Sequence, residues 1–298
     1  MSMTIATTAG SLLDLLGHRR KTYTKRPAIV RRAPRLLRAR TGGTALLAAA
    51  LAGCGGGPDA DAIIQRAIEA HGVQVLDTAR VSFDFRGERY ISTRDNGRFR
   101  LERIYQEDGS RVREILTNDG TYREVDGVPQ PLTDDERESV ATAVNSVLYF
   151  AFLPHKLDDP GVVARYLGQD RLAGRPYDRV EVTFDPEEGG RDWEDRFLYW
   201  FHPEEGTLDY MAYRYHVGQG GTRFRQAVNR RWVEGIVVQD YENLTRQGTE
   251  DIEEYGPAYE ELDLEWVSYI SIGNVSIESL PEDFPDDPEA PQAPESAG

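Results

Sequence analysis

The sequence predicts an α+β fold, mainly antiparallel β, in which a curved sheet or half-barrel wraps around a mid-chain helix. Three observations lead to this prediction. Apolar and polar residues alternate with a period of two over much of the chain. Asn-Gly and Asp-Gly pairs separate the alternating runs. The order of elements also lacks the regular strand–helix alternation of parallel-sheet proteins.

The first half of the body reads as one helix followed by hairpins. Asp59 or Asp61 is suited to cap a helix whose apolar residues recur at helical spacing, and Gly72 is suited to end it. Alternating runs follow, separated by turn pairs at 96–97, 108–109, 119–120 and 126–127. These pairs predict an antiparallel meander, because Asn-Gly and Asp-Gly adopt the backbone conformation that tight hairpins need.

A second helix is predicted from Thr133 to Leu153. Thr133 and Glu136 have capping-box spacing, and Pro154 follows the last apolar residue. Strands then resume, and the run 197–201 is aromatic on both faces, so we expect it at the centre of a sheet. The acid-rich segment 246–263 is predicted to be a loop, and residues 266–277 are predicted to form the last strand.

Charge is distributed unevenly along the chain. The 298 residues contain 51 acidic and 35 basic side chains, for a formal charge of −16. Most of the charged side chains in residues 1–53 are basic. Residues 54–298 are therefore strongly acidic. Such a body repels phosphate backbones, which excludes nucleic acid as an expected partner.

The N-terminal region has the features of an export signal. Arginines at 31–40 precede a short apolar run and the sequence Leu51-Ala52-Gly53-Cys54, in which Cys54 is the single cysteine of the chain. This pattern resembles the bacterial lipoprotein signal, which implies acylation of Cys54 and anchoring in a membrane through acyl chains. Gly55 does not resemble an inner-membrane retention signal, so the expected location is the cell envelope, at the outer membrane.

These features divide the chain into four parts. We predict a lipoprotein signal peptide with a basic N-terminal extension at 1–53 and a tether at 54–58. A single half-barrel domain follows at 59–279. The tail at 280–298 is rich in proline and acids, a composition typical of disorder.

Candidate chemistry is sparse, and no cofactor is expected. His202 and Asp209 are the weak catalytic candidates, because a histidine at a strand end near a carboxylate can act as an oriented base. A capped histidine at a hairpin end is the alternative. Asp185, Asp192 and Asp195 belong to an acidic turn that offers oxygen ligands for Ca²⁺, although solvated carboxylates are the default in so acidic a chain.

The candidate ligand-binding residues are aromatic or cationic. Arg223 and Arg225 share one strand face, where they can hold an anionic group or form salt bridges on an outer surface. The aromatic candidates for a cavity wall are Phe150, Phe152, Phe197, Tyr199, Phe201 and Tyr213. Aromatic side chains at these positions equally suit an ordinary closed core.

Short motifs along residues 60–243 resemble a known family. They are Ala70-His71-Gly72, Asn145-Ser146-Val147, Phe184-Asp185, Tyr199-Trp200-Phe201-His202, Asp209-Tyr210, Gly221-Thr222-Arg223-Phe224-Arg225 and Asp240-Tyr241. The chain resembles uncharacterised bacterial envelope proteins of Bacteroidetes type that contain a domain of unknown function. Its element order is loosely similar to the half-barrel of outer-membrane lipoprotein carriers and receptors.

Three functional interpretations remain open at this stage. The favoured one is a non-catalytic, lipid-anchored envelope protein that binds an apolar or amphipathic small molecule or lipid in a half-barrel cavity. The second is a periplasmic, hydrolase-like enzyme that uses His202 and Asp209 or a metal in the acidic turn. The third is a structural or protein-partner role in the envelope.

Overall fold

Two seven-stranded antiparallel sheets form the body of the protein. The structure, a computed structural model, describes residues 58–185, 195–215, 220–280 and residue 284. The strands are β1 (Ala79–Phe85), β2 (Glu88–Asp95), β3 (Arg98–Glu107), β4 (Ser110–Thr117), β5 (Thr121–Val125), β6 (Val128–Gln130), β7 (Val162–Leu172), β8 (Arg175–Phe184), β9 (Arg196–Phe201), β10 (Leu208–Tyr215), β11 (Gly221–Val233), β12 (Ile236–Thr245), β13 (Glu265–Ile270) and β14 (Gly273–Ser279).

The helices are fewer and mostly short. They are α1 (Ala60–His71), α2 (Asp134–Ala151) and α3 (Tyr255–Glu260), with 3₁₀ helices at Val73–Thr78 and Ile252–Glu254. The predicted caps are present: the Asp59 side chain accepts from the backbone N–H of Asp61, and Thr133 and Glu136 form a capping box at the start of α2.

Each sheet is built from strands that neighbour one another in the chain, with one exception. The first sheet has the order β14-β1-β2-β3-β4-β5-β6, and the second has the order β13-β12-β11-β10-β9-β8-β7. The exception is β14, which leaves the second sheet after β13 and pairs antiparallel with β1. The last strand therefore ties the C-terminal end of the domain to its beginning.

One hydrophobic core lies between the two sheets and the long helices. It contains Phe83 and Leu101 from the first sheet, Phe197 and Tyr213 from the second, and the buried apolar residues of α1 and α2. We call the sheet face that contacts this core the inner face. Helix α2 packs mainly on β3, β4 and β5, and its C-terminal turns reach the second sheet.

The end of α1 is fixed by a close approach of two backbones. Gly72 has a φ of 66°, and a Cβ atom at this position would lie 2.4 Å from the carbonyl oxygen of Gly235 in the β11–β12 turn. A side chain at position 72 would therefore push α1 away from the second sheet. This contact sets where His71, the last residue of α1, enters the core.

A second layer covers the outer face of the second sheet. Leu198, Trp200 and Phe224 pack there against Ile252 and Tyr255. The prediction of a plain loop over 246–263 is therefore wrong, because this segment contains a 3₁₀ helix and α3. It also explains why β9 is aromatic on both faces: one face meets the core and the other meets this layer.

The predicted fold class is confirmed, since antiparallel, curved sheets surround a mid-chain helix. The predicted last strand at 266–277 is instead two strands in different sheets, because Ile270 and Ile272 are both buried in the core where the chain crosses over. Among the described residues, no helix has the length and apolar character needed to cross a membrane. The predicted segment 1–53, nearly all of the tether 54–58 and nearly all of the tail 280–298 lie outside them.

Candidate functional site

The inner face of the second sheet carries one polar row among its apolar rows. Strand pairing places Tyr199 of β9 opposite Met211 of β10, and Arg225 of β11 opposite both Met211 and Asn243 of β12. Cross-strand partners point to the same side of a sheet. Tyr199, Arg225 and Asn243 thus lie on one wall of the core, and the predicted shared face of Arg223 and Arg225 is this inner wall rather than the outer surface.

Arg225 is almost completely buried, with 1% of its surface exposed. Its guanidinium carbon lies 4.8 Å from the centre of the Phe150 ring and 4.9 Å from that of the Tyr213 ring. Nη2 donates a hydrogen bond of 2.7 Å to the Tyr213 hydroxyl. Among the described residues, no side chain accepts a hydrogen bond from Nε, and no carboxylate forms an ion pair with this guanidinium.

Two buried neutral groups accompany this cation. Asn243 is 1% exposed, and its Nδ2 donates to the Ser268 hydroxyl at 3.2 Å, while its Oδ1 has no partner in the described chain. Burial raises the pKa of the Tyr199 hydroxyl well above its usual value, and the neighbouring Tyr149 adds to the rise. Both groups therefore remain uncharged hydrogen-bonding groups at neutral pH.

The last turns of α2 cover this wall. The Phe150 ring lies 6.0 Å from that of Phe197 and 5.6 Å from that of Tyr213, measured between centroids. Tyr149 and Phe150 are only partly buried, whereas the sheet residues beneath them are fully buried. We call Phe150, Tyr199, Tyr213, Arg225 and Asn243 the Arg225 site.

The remaining predicted ligand-binding residues lie around this site or away from it. Phe201 is buried on the same wall, 6.2 Å from Tyr199. Arg223 is partly exposed, lies 5.5 Å from the Tyr215 ring, and donates to the Thr222 carbonyl. Phe152 points the other way, toward the first sheet, where it packs edge-on against Phe83 at 5.3 Å. It belongs to the packing between α2 and the first sheet.

Sequence reasoning missed Asn243. The apolar alternation of residues 236–241 predicts a strand that ends at Tyr241, but β12 continues to Thr245. An inward-pointing asparagine interrupts the apolar alternation, so the period-two signal is lost at that residue. The isolated polar residue two positions after a buried tyrosine is the signal that could have revealed it.

His202 and Asp209 are held in separate structural roles. The Nδ1 atom of His202 accepts from the backbone N–H groups of Glu204 and Glu205 in the β9–β10 turn. Asp209 accepts from Arg230, Tyr177 and Thr207 at 2.6–3.0 Å. Neither side chain hydrogen-bonds to the other in the described structure, so the geometry matches the capped histidine rather than the oriented base.

The candidate calcium ligands are only partly within the described chain. Asp192 lies outside it, whereas Asp185 and Asp195 flank the gap on either side. No group of three or more His, Cys, Asp or Glu side chains with metal-binding proximity occurs among the described residues. Cys54, the predicted lipidation site, also lies outside them.

A shallow cavity of about 300 Å³ lies on the other side of the second sheet. It is lined by Arg196, Arg214, Glu250, Asp251 and Ile252. Arg196 pairs with Glu253, and Arg214 pairs with Glu250. Because its charges are paired within the chain, this cavity offers no free group to a charged ligand.

Comparisons with known proteins identify the family. DUF6503, a family of unknown function, matches residues 46–270, so the chain belongs to this family and the predicted membership of an unknown-function family is confirmed. No curated protein sequence matches the chain.

Several solved structures are similar to the chain. A LolA-superfamily protein from Nitrosomonas europaea has 12% identity and a TM-score of 0.44, covering 76% of this chain and 96% of its own. A DUF1329 family protein from Desulfovibrio piger has 14% identity and a TM-score of 0.32, covering 72% and 92%. LprF from Mycobacterium bovis has 12% identity and a TM-score of 0.26, covering 57% and 91%.

Proposed function

We propose that this member of DUF6503 is a lipid-anchored protein of the cell envelope that binds an apolar or amphipathic ligand between its sheets, beneath the end of α2. The observation that carries the proposal is a difference in burial between one wall of the core and the side chains that cover it. The aromatic wall formed by Phe197, Tyr199 and Tyr213 is fully buried, whereas its cover, Tyr149 and Phe150, is partly exposed. Movement of two side chains at one helix end gives access to an apolar wall.

The nature of the wall favours an amphipathic ligand. Binding sites for small molecules are typically apolar with a few polar groups that fix orientation. The inner face of the second sheet has this composition, with aromatic rings and Val180 and Val182 beside the polar Arg225 site. In the structure, the Phe150 ring packs on this wall. In the proposed complex, the apolar chain of the ligand occupies the space that the ring leaves when it moves.

The anchoring part of the proposal is supported by the sequence pattern around Cys54. A basic segment, a short apolar run and Leu51-Ala52-Gly53-Cys54 suit acylation of the cysteine after export. Acyl chains then hold the protein at the membrane surface, and Gly55 favours the outer membrane. In this arrangement Cys54→Ala shifts the protein from the membrane fraction to the soluble fraction.

The ligand-binding part is tested with Nile red, an uncharged dye whose fluorescence reports an apolar environment. We expect the full chain carrying Cys54→Ser to bind the dye saturably at one site. Phe150→Asp should weaken binding by about tenfold, because it replaces apolar contact area with a charged group at the cover. Val163→Asp is the matched control: it adds the same charge at a residue that is 51% exposed on β7.

Two results would contradict the proposal. One is a folded protein that shows no saturable dye binding. The other is equal weakening by Phe150→Asp and Val163→Asp, which would indicate a response to net charge rather than to the cover. Either result would leave the structural or protein-partner role as the better interpretation.

A further inference from the structure

We propose that the Arg225 site binds the carboxylate of a long-chain amphipathic ligand, so that the ligand class is a fatty acid or a similar monocarboxylate. This inference rests on the proposed function and adds the chemistry of the ligand's head. It is carried by a buried cation that no carboxylate of the described chain neutralises and by its Nε donor, which has no acceptor among the described residues.

The charge of Arg225 is the first step. Burying an ion without a partner costs several kcal/mol, and proteins normally pair such ions. Arg103, a partly buried arginine on the inner face of the first sheet, follows this rule and is held by Glu88 at 2.7 Å and Glu114 at 3.2 Å. The Arg225 guanidinium lies against two adjacent aromatic rings, those of Phe150 and Tyr213, and its hydrogen-bond partner is a neutral hydroxyl. An anion that binds here is therefore attracted by a guanidinium that no carboxylate of the described chain neutralises.

The donors and acceptors around Arg225 define the shape of that anion. The Phe150 and Tyr213 rings lie 5.6 Å apart against the guanidinium, and its buried Nε has no acceptor among the described residues. The movement of Phe150 that admits the ligand leaves this edge of the guanidinium to meet the head group. A planar carboxylate meets the edge of a guanidinium with two parallel hydrogen bonds. The Tyr199 hydroxyl lies on the same row as a further neutral group.

A second cation adds to the positive potential near the site. Arg86 lies in the β1–β2 turn of the first sheet and has interactions of its own. Burial and then the positive charge of Arg225 lower the pKa of Arg86, against smaller opposing effects of Tyr90 and Glu88. An anion beside Arg225 relieves this repulsion.

The apolar chain of the ligand has a continuous surface to follow. From Arg225, the inner face of the second sheet runs through Met211 and Tyr199 to Val180, which are cross-strand neighbours in one row. Met211 and Val180 are fully buried within the core. A carboxylate held at Arg225 therefore directs its chain along an apolar row beneath α2.

The test compares three twelve-carbon competitors for bound Nile red at pH 8 on the full chain carrying Cys54→Ser. They are dodecanoate, dodecanol and dodecyl phosphate. We expect dodecanoate to displace the dye at about tenfold or more lower concentration than dodecanol, because a charge-assisted, bidentate hydrogen bond contributes roughly that much. Arg225→Met should bring the dodecanoate value to that of dodecanol. Arg165→Met, which removes an exposed cation from the outer face, should leave the ratio unchanged.

The outcomes separate this inference from the function on which it rests. If Nile red does not bind, the proposed function fails. If the dye binds and dodecanoate and dodecanol compete equally, the function stands and the carboxylate site is wrong. Stronger competition by dodecyl phosphate than by dodecanoate would overturn the choice of head group. The wild-type comparison decides even if Arg225→Met does not fold, and Arg225→Lys, which keeps the charge without the fork, should retain only part of the ratio.

Discussion

The inner faces of the two sheets treat buried charge in opposite ways. In the first sheet, Glu114 is 2% exposed and accepts from Arg103, Arg123 and Tyr105 at 2.7–3.2 Å. Arg103 also reaches Glu88. In the second sheet, Arg225 is equally buried, and its partners among the described residues are aromatic rings and one hydroxyl. A buried charge in this fold is therefore not by itself a sign of function. What distinguishes a structural charge from a candidate binding group is whether it has an ion-pair partner.

The pairing follows from which residues the strand register brings together. Across the first sheet, Tyr90, Arg103, Glu114 and Arg123 are successive cross-strand partners, so acid and base alternate along one row. Across the second sheet, Arg225 lies between Met211 and Asn243, neither of which is charged. The charges of the first row are paired with one another. The charge of Arg225 in the second row has no ion-pair partner among the described residues and is available to a ligand.

The largest expected effect is the loss of the network in the first sheet. Arg103→Met removes the cation that joins Glu88 to Glu114 and should destabilise the folded protein by about 3 kcal/mol, because it breaks a largely buried ion-pair network. Glu88 then keeps only the Tyr90 hydroxyl among the described residues, and Glu114 keeps Arg123 and Tyr105. The measurement is the free energy of unfolding in urea. A loss below about 1 kcal/mol would mean that the network resembles an exposed ion pair, and the contrast between the sheets would disappear.

The second expected effect concerns an ionisable group that the second sheet keeps uncharged. His71 accepts a 3.1 Å hydrogen bond at Nε2 from the backbone N–H of Leu208. Burial and the nearby Arg230 lower its pKa to about 3, against a smaller opposing effect of Asp209. The unfolded chain therefore takes up a proton near pH 6.5, while the folded protein does not.

Stability consequently falls as the pH drops from about 6.5 toward 3. Between pH 7 and pH 4, the free energy of unfolding of His71→Gln should fall by about 3 kcal/mol less than that of the wild type, because glutamine does not titrate. Urea unfolding at both pH values measures this difference, and the data at pH 7 report any direct effect of the substitution. Equal pH dependence in the two proteins would show that His71 is not held neutral by the fold.

Much of the fold could be predicted because local rules and tertiary structure agree. The turns at Asn96, Asp108 and Asp126 have positive φ values of 47–50° and are each followed by glycine, as their sequences indicate. The turns at Arg86, Ala173 and Glu234 adopt the same geometry without an Asn or Asp signal. They could not be predicted, because there the strand pairing imposes a conformation that the residue itself disfavours.

The candidate site was predictable only in part. Alternation placed Arg223 and Arg225 on one face of a strand, but it could not tell the inner face from the outer. That choice depends on Phe224, which packs against Tyr255 in the segment predicted as a loop. Once a second layer covers the outer face, both faces of the sheet are buried and Arg225 must lie in the core. A single strand contains no information about the layer that covers it.

The smallest expected effect is that of Arg225→Met, which makes in the second sheet the same substitution that Arg103→Met makes in the first. Arg225→Met loses one hydrogen bond to Tyr213 and two cation–π contacts, about 2 to 3 kcal/mol together. It also removes the desolvation cost, several kcal/mol, of a cation that no carboxylate of the described chain pairs with. The free energy of unfolding without ligand should therefore stay within about 1 kcal/mol of the wild type or rise. At the same concentration, dodecanoate should raise the melting temperature of the wild type more than that of Arg225→Met, since the stabilisation by a ligand grows with its affinity. A loss as large as that of Arg103→Met would show that Arg225 is structural, and the two sheets would then differ in their partners but not in their use of charge.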